Sequence, residues 1–93
     1  MSTFYSQGSA PWSTLTNWDT NAGGGGTDPA SADAAGMDNH VYIIQAGHTI
    51  DFDMDMSAWT NGVDGLTITS HATTPGMLRF KYDAADGSYC LKV

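Results

Sequence analysis

Three aspartates, Asp51, Asp53 and Asp55, occupy every second position at the end of the stretch His40–Asp55, HVYIIQAGHTIDFDMD. In an extended strand, residues two apart share a face, so the three carboxylates project together, opposite Ile50, Phe52 and Met54. Carboxylates grouped in this way could hold Ca²⁺, which takes oxygen ligands, or supply the acid and base of a glycosidase. Neither chemistry has the rest of its pattern. With Asp51 as position 1 of a helix–loop–helix calcium site, position 6 is Met56 rather than glycine and position 12 is Gly62 rather than glutamate. A glycosidase pair must face each other across a cleft, and a flat strand face offers none. The expectation is a solvated acidic face. Asp51, Asp53 and Asp55 are the one candidate Ca²⁺ group, with Asp64 and the turns over 61–65 at hand to complete it; no other cofactor is expected.

The remaining reactive side chains form no recognisable constellation. His40, His48 and His71 lack Cys-x-x-Cys or His-x-x-x-His company, so zinc is not expected. No Gly-x-Ser-x-Gly elbow occurs, and the glycines at 23–26 lack the lysine of a phosphate loop. Cys90 is the only cysteine, which excludes a disulfide within the chain and suits a small buried hydrophobe. Trp12, Trp18 and Trp59 are candidate binding residues, because sugar rings stack on aromatic faces. The plainer expectation folds Trp12 and Trp18 back to seal the end of a sheet, with Trp59 capping the same core. The chain is not expected to be an enzyme.

Strands must carry these residues. The apolar–polar alternation predicts strands near 40–45, 48–55, 65–70, 77–82 and 88–93, with a short one at Phe4 and Tyr5. Turns are expected at Ala46-Gly47, Asn61-Gly62, Asp64-Gly65, Thr74-Pro75-Gly76 and Asp86-Gly87. Strands 40–45 and 48–55 are expected to pair as a hairpin. The predicted core is Val41, Ile43, Ile50, Phe52, Met54, Leu66, Ile68, Leu78, Phe80, Tyr82, Tyr89, Leu91 and Val93. Val41, Leu66 and Tyr89 open similar strands 25 and 23 residues apart, and Phe52 and Phe80 are 28 apart. Such spacings match one turn of a β-solenoid. The fold class is therefore all-β: a short β-solenoid-like stack, or a small antiparallel β-sandwich, with a Gly-rich N-terminal loop.

Residues 1–36 read as an N-terminal aromatic cap and Gly-rich loop, and 37–93 as the β-strand core. The loop NAGGGGTDPASADAAG, residues 21–36, is expected to be mobile at the surface. Ninety-three residues suit one small domain. Ten acids, all aspartate, against Arg79, Lys81 and Lys92 give a net charge of −7. Aspartate favours caps and turns over helix interiors, which fits an all-β chain. The charge repels phosphate backbones and anionic lipid, so neither nucleic acid nor a membrane is an expected partner. The N-terminus lacks a signal peptide, which places the expected location in a virion, or outside the cell after lysis.

PWSTLTNWDT, the small-residue loop and then DNHVYIIQAGHTIDFD together resemble the N-terminal cap and first coils of β-solenoid surface proteins with a G-eight type domain, and related virion proteins of tailed phages. The resemblance covers about residues 8–70. It implies a structural assembly protein, a phage virion component such as a capsid decoration, tail or fibre module. Such a protein would act by packing against copies of itself or other virion proteins. The alternative is a carbohydrate-binding module that holds a glycan on exposed tryptophans.

Overall fold

The computed structural model describes residues 1–80 and 89–93. Seven strands form two sheets: β1 (Thr3–Ser6), β2 (Ala10–Pro11), β3 (Trp18–Asp19), β4 (His40–Ile44), β5 (Thr49–Phe52), β6 (Val63–Ile68) and β7 (Met77–Phe80). A single turn of helix, α1 (Ala34–Met37), precedes β4. One sheet has the order β3-β1-β4-β6 and the other β2-β5-β7. Each coil of chain gives its first strand to one sheet and its second to the other. Coil one is β1 and β2, coil two is β4 and β5, and coil three is β6 and β7.

All pairings between coils are parallel: β1 with β4, β4 with β6, β2 with β5, and β5 with β7. Only β3 runs antiparallel, against β1. Of the two all-β architectures expected, the stack is the one formed. Phe52 lies beside Phe80, as the 28-residue spacing anticipates, with ring centroids 5.2 Å apart. Leu66 stacks on Tyr42 rather than on Val41, and Cys90 bridges Asp55 on a third side.

The hairpin expected between 40–45 and 48–55 is absent, because β4 and β5 belong to different sheets. Residues 45–48 turn a corner instead of reversing the chain. His48 N–H donates to the Gln45 carbonyl at 3.1 Å, and Gly47 takes a φ of 81° that other residues rarely adopt. Asp64-Gly65, predicted as a turn, lies inside β6. His40 pairs with Val63 and Val41 with Gly65, which leaves Asp64 as the extra residue of a β-bulge. Residues 89–93 do not form a strand in the described part; Cys90 makes an isolated bridge, and Val93 is exposed. Tyr82 and the Asp86-Gly87 turn lie outside the described residues.

The core holds Phe4, Trp12, Trp18, Met37, Tyr42, Ile44, Ile50, Phe52, Met54, Met56 and Val63. In β4 the predicted face is inverted: Tyr42 and Ile44 are buried, whereas Val41 and Ile43 are only half-buried. Four consecutive apolar residues carry no phase of their own. Phe4 fixes it, since its neighbour across the β1–β4 ladder is Tyr42. The Tyr42 hydroxyl also has a partner inside, the Met37 carbonyl at 2.7 Å.

Residues 1–36 do more than cap and loop, because they supply β1, β2 and β3 to the same two sheets. The glycine loop is tied down rather than free. Asp19 Oδ1 accepts from the amides of Asn21 and Gly26 at 2.8 and 2.9 Å, and Thr20 and Thr27 bond across the loop base. At Gly36 a Cβ would lie 2.3 Å from the Ser31 backbone, whereas at Gly23 it would meet nothing within 4 Å. Gly36→Ala should therefore cost about 1–3 kcal/mol of unfolding free energy, the usual penalty of forcing atoms into a packed site. Gly23→Ala should stay within about 0.5 kcal/mol of wild type. Urea denaturation of both variants checks the pair.

Candidate functional site

The sequence-predicted residues do not converge on one site. Asp51, Asp53 and Asp55 do leave the core on the side away from Ile50, Phe52 and Met54, but each is bound separately. Asp51 receives Arg79 through two nitrogens, at 2.6 and 3.1 Å. Asp53 accepts from the Ser13 amide at 3.0 Å and the Ser13 hydroxyl at 2.5 Å. Asp55 accepts from the Ser57 amide at 2.9 Å. The candidate Ca²⁺ group is therefore dispersed, since β5 ends at Phe52 and the chain bends beyond it. Among the described residues no three metal-ligating side chains are grouped. Nor does the row form a free acidic face.

Trp12 and Trp18 are fully enclosed, so a sugar platform made from them has no open side. Their rings pack 4.9 Å apart, and Trp12 also meets Tyr42 at 4.8 Å and Phe52 at 5.3 Å. The cluster plugs the N-terminal end of the stack. Trp59 is half-buried against the same core. Trp18 Nε1 donates to the Trp12 carbonyl at 2.8 Å, whereas Trp12 Nε1 is buried without a partner among the described residues.

At the other end, the stack is open. No described strand lies beyond β6 or β7. Of the inward-facing side chains covered in coil two, two have bare partners in coil three and two, Tyr42 and Ile50, have half-buried ones, Leu66 and Leu78. Ile44 and Phe52 are fully buried, but their stacking partners Ile68 and Phe80 are 46 and 55 % exposed, and Met77 is 49 % exposed. Ile68 and Phe80 were expected in the core, and they lack only a further layer; Met77, beside Thr49, lies on the outer face of β7. Sequence reading missed the asymmetry, because nothing in a strand's composition says whether it lies in the middle of a stack or at its rim.

A third feature, absent from the sequence reading, is the corner after β1 and β4. Ser6 is fully buried; its Oγ takes the Gln45 amide proton at 2.8 Å and lies 2.7 Å from His48 Nδ1. The pair resembles a nucleophile and base, but the enclosed hydroxyl already serves to lock the corner. His40 accepts the Ser2 amide on Nδ1 at 2.9 Å, which requires the neutral ring. Burial, with the N-terminal charge close by, holds its pKa below the ordinary 6.5.

Among the described residues, no helix is long and apolar enough to cross a membrane. Comparison with protein-family models, curated proteins and solved structures finds no match to the chain.

Two outcomes follow from the buried aromatic plug and from His40. Trp18→Phe should destabilise more than Trp12→Phe, by about 1 kcal/mol, since only the first loses a hydrogen bond; chemical denaturation of the two measures the gap. A histidine whose folded pKa is depressed binds more protons when unfolded, so its contribution falls as pH drops through 6.5 toward the folded value. The melting temperature should therefore fall on acidification from pH 7.5 to about 5, and less steeply in His40→Asn, which keeps an acceptor without titrating. Equal slopes would rule His40 out as the cause.

Proposed function

We propose that this chain is a structural assembly module: the capped end of a parallel β-stack, whose open coil packs against a second copy. The single observation behind this reading is the contrast between coil two, whose inward Ile44 and Phe52 are covered, and coil three, where their partners Ile68 and Phe80 stand bare. An uncovered strand edge with exposed apolar side chains invites further pairing.

A second copy suits the open end on charge. Despite a net charge of −7, the two rim strands carry one acid, Asp64, and one base, Arg79. Head-to-tail growth is disfavoured because the opposite end is blunted. Pro11 on the rim of the second sheet has no amide to donate, and antiparallel β3 covers β1. Two open ends therefore meet about a twofold axis, a closed contact rather than a filament. A virion component such as a decoration, tail or fibre module, in a particle released by lysis, is the setting that the resemblance favours. A glycan platform of Trp12 and Trp18 has no such support.

Light scattering on the full chain from micromolar to millimolar concentration should show a monomer passing to a dimer. Ile68→Lys with Phe80→Lys should hold it monomeric, with each exposed substitution changing stability by no more than about 0.5 kcal/mol. A wild type that stays monomeric throughout, or one that forms an open-ended series, overturns the reading.

A further inference from the structure

The corner after β1 and β4 carries an open groove of ≈ 590 Å³, within the size range of small-ligand sites. It is lined by Tyr5, Gln7, Gly23, Gln45, His48 and Thr69, among others. Its chemistry is set by the two glutamines. Gln7 Nε2 donates to the carbonyls of Tyr5 and Asn21, both at 3.0 Å. Gln45 Nε2 donates to the carbonyls of Ser6 and Ala22, at 2.6 and 2.8 Å. Each amide nitrogen has thus given both of its hydrogens to backbone oxygens. A flipped amide would set oxygen against oxygen, so both orientations are fixed. Two Oε1 acceptors remain, held on a rigid frame and without a partner among the described residues. His48, whose Nδ1 is engaged by Ser6, adds Nε2.

The lining includes no Asp, Glu, Lys or Arg, so nothing in it selects a charged ligand, and the net charge of −7 repels anions. The hydroxyls of Tyr5 and Thr69 both donate and accept. Tyr5 and Ile43, partners across the β1–β4 ladder, add apolar surface beside these polar groups. Fixed acceptors, amphiprotic hydroxyls and a small apolar floor match a pyranose, whose vicinal hydroxyls donate and whose C–H face is apolar. We propose that this corner groove binds a neutral sugar unit of a glycan. The site shares no residue with the open end of the stack, so it stands or falls apart from the assembly reading.

The test is titration of the ¹⁵N-labelled full chain with maltotriose, cellotriose, chitotriose and lactose, followed by NMR. At least one sugar should give saturable shifts at the Gln7 and Gln45 side-chain amides and at Gly23. Gly23→Trp is the blocking variant, because Gly23 lines the groove and a Cβ there meets nothing within 4 Å. It should weaken binding by about tenfold or more, with an unchanged melting temperature. Four sugars without a saturable shift up to about 10 mM, the weak end of small-ligand affinity, would overturn the proposal. So would shifts centred on Trp59, binding that Gly23→Trp leaves intact, or a response confined to acetyl-triglycine amide as a neutral peptide probe.

Discussion

In a parallel β-coil, an inward side chain is covered from above and below only if another layer lies on each side. That constraint organises the whole molecule. Coil two meets it: Tyr42, Ile44, Ile50 and Phe52 are sealed between the coils before and after them. Coil one lacks a preceding layer, and Trp12 and Trp18 fill the space with two large rings that contact each other and Tyr42 of coil two. Aromatic rings suit a plug, since each hides a large area at the entropic cost of two torsions. Coil three has no plug among the described residues, and its Ile68 and Phe80 remain at the surface.

The aspartates answer a different need. A stack with long irregular connections leaves many backbone amides without a ladder partner, and each buried one must be bonded. Asp19 holds the amides of Asn21 and Gly26, Asp33 caps α1 through Gly36, and Asp55 takes the amide of Ser57. Asp38 reaches 23 to 24 residues ahead to the amides of Asn61 and Gly62, tying the start of coil two to the start of coil three. A short carboxylate can turn back on nearby backbone, whereas glutamate is a methylene longer. This accounts for a chain with ten aspartates and no glutamate better than a ligand site does. Hydrogen bonds from Ser31 and Ser57 hold the carboxyls of Asp33 and Asp55 below their ordinary range, so these staples persist until pH falls into the carboxylate region.

The all-β class, the positions of β4 to β7 and the 28-residue register between Phe52 and Phe80 were legible in the sequence, because alternation and turn residues are local signals. Four things were not. The face of β4 was misread, since Val41 to Ile44 are uniformly apolar and the choice belongs to Phe4, 38 residues from Tyr42. The corner at Ala46-Gly47 looks like a hairpin because a positive-φ glycine serves either purpose; only the pairing partner decides. The bulge at Asp64 imitates a turn because Asp-Gly is a common turn dipeptide, and only the ladder with β4 places it inside a strand. The corner groove left no trace at all. Gln7 and Gln45 are unremarkable as letters, and their shared role arises only when the fold places both beside the glycine loop.

The two ends of the stack are unequal in a way that sets a direction. Addition before coil one would have to displace antiparallel β3 and pair with a strand whose Pro11 lacks a donor, while the aromatic plug already occupies the interior. Addition after coil three displaces no described element and covers side chains that water now contacts. Burial of Ile68 and Phe80 would favour such a contact by the general tendency of apolar surface to leave water. The same chain thus carries one edge that is blunted against β-pairing and one that no described strand covers. Short edge strands limit unwanted pairing, and with β6 at six residues and β7 at four the rim is narrow.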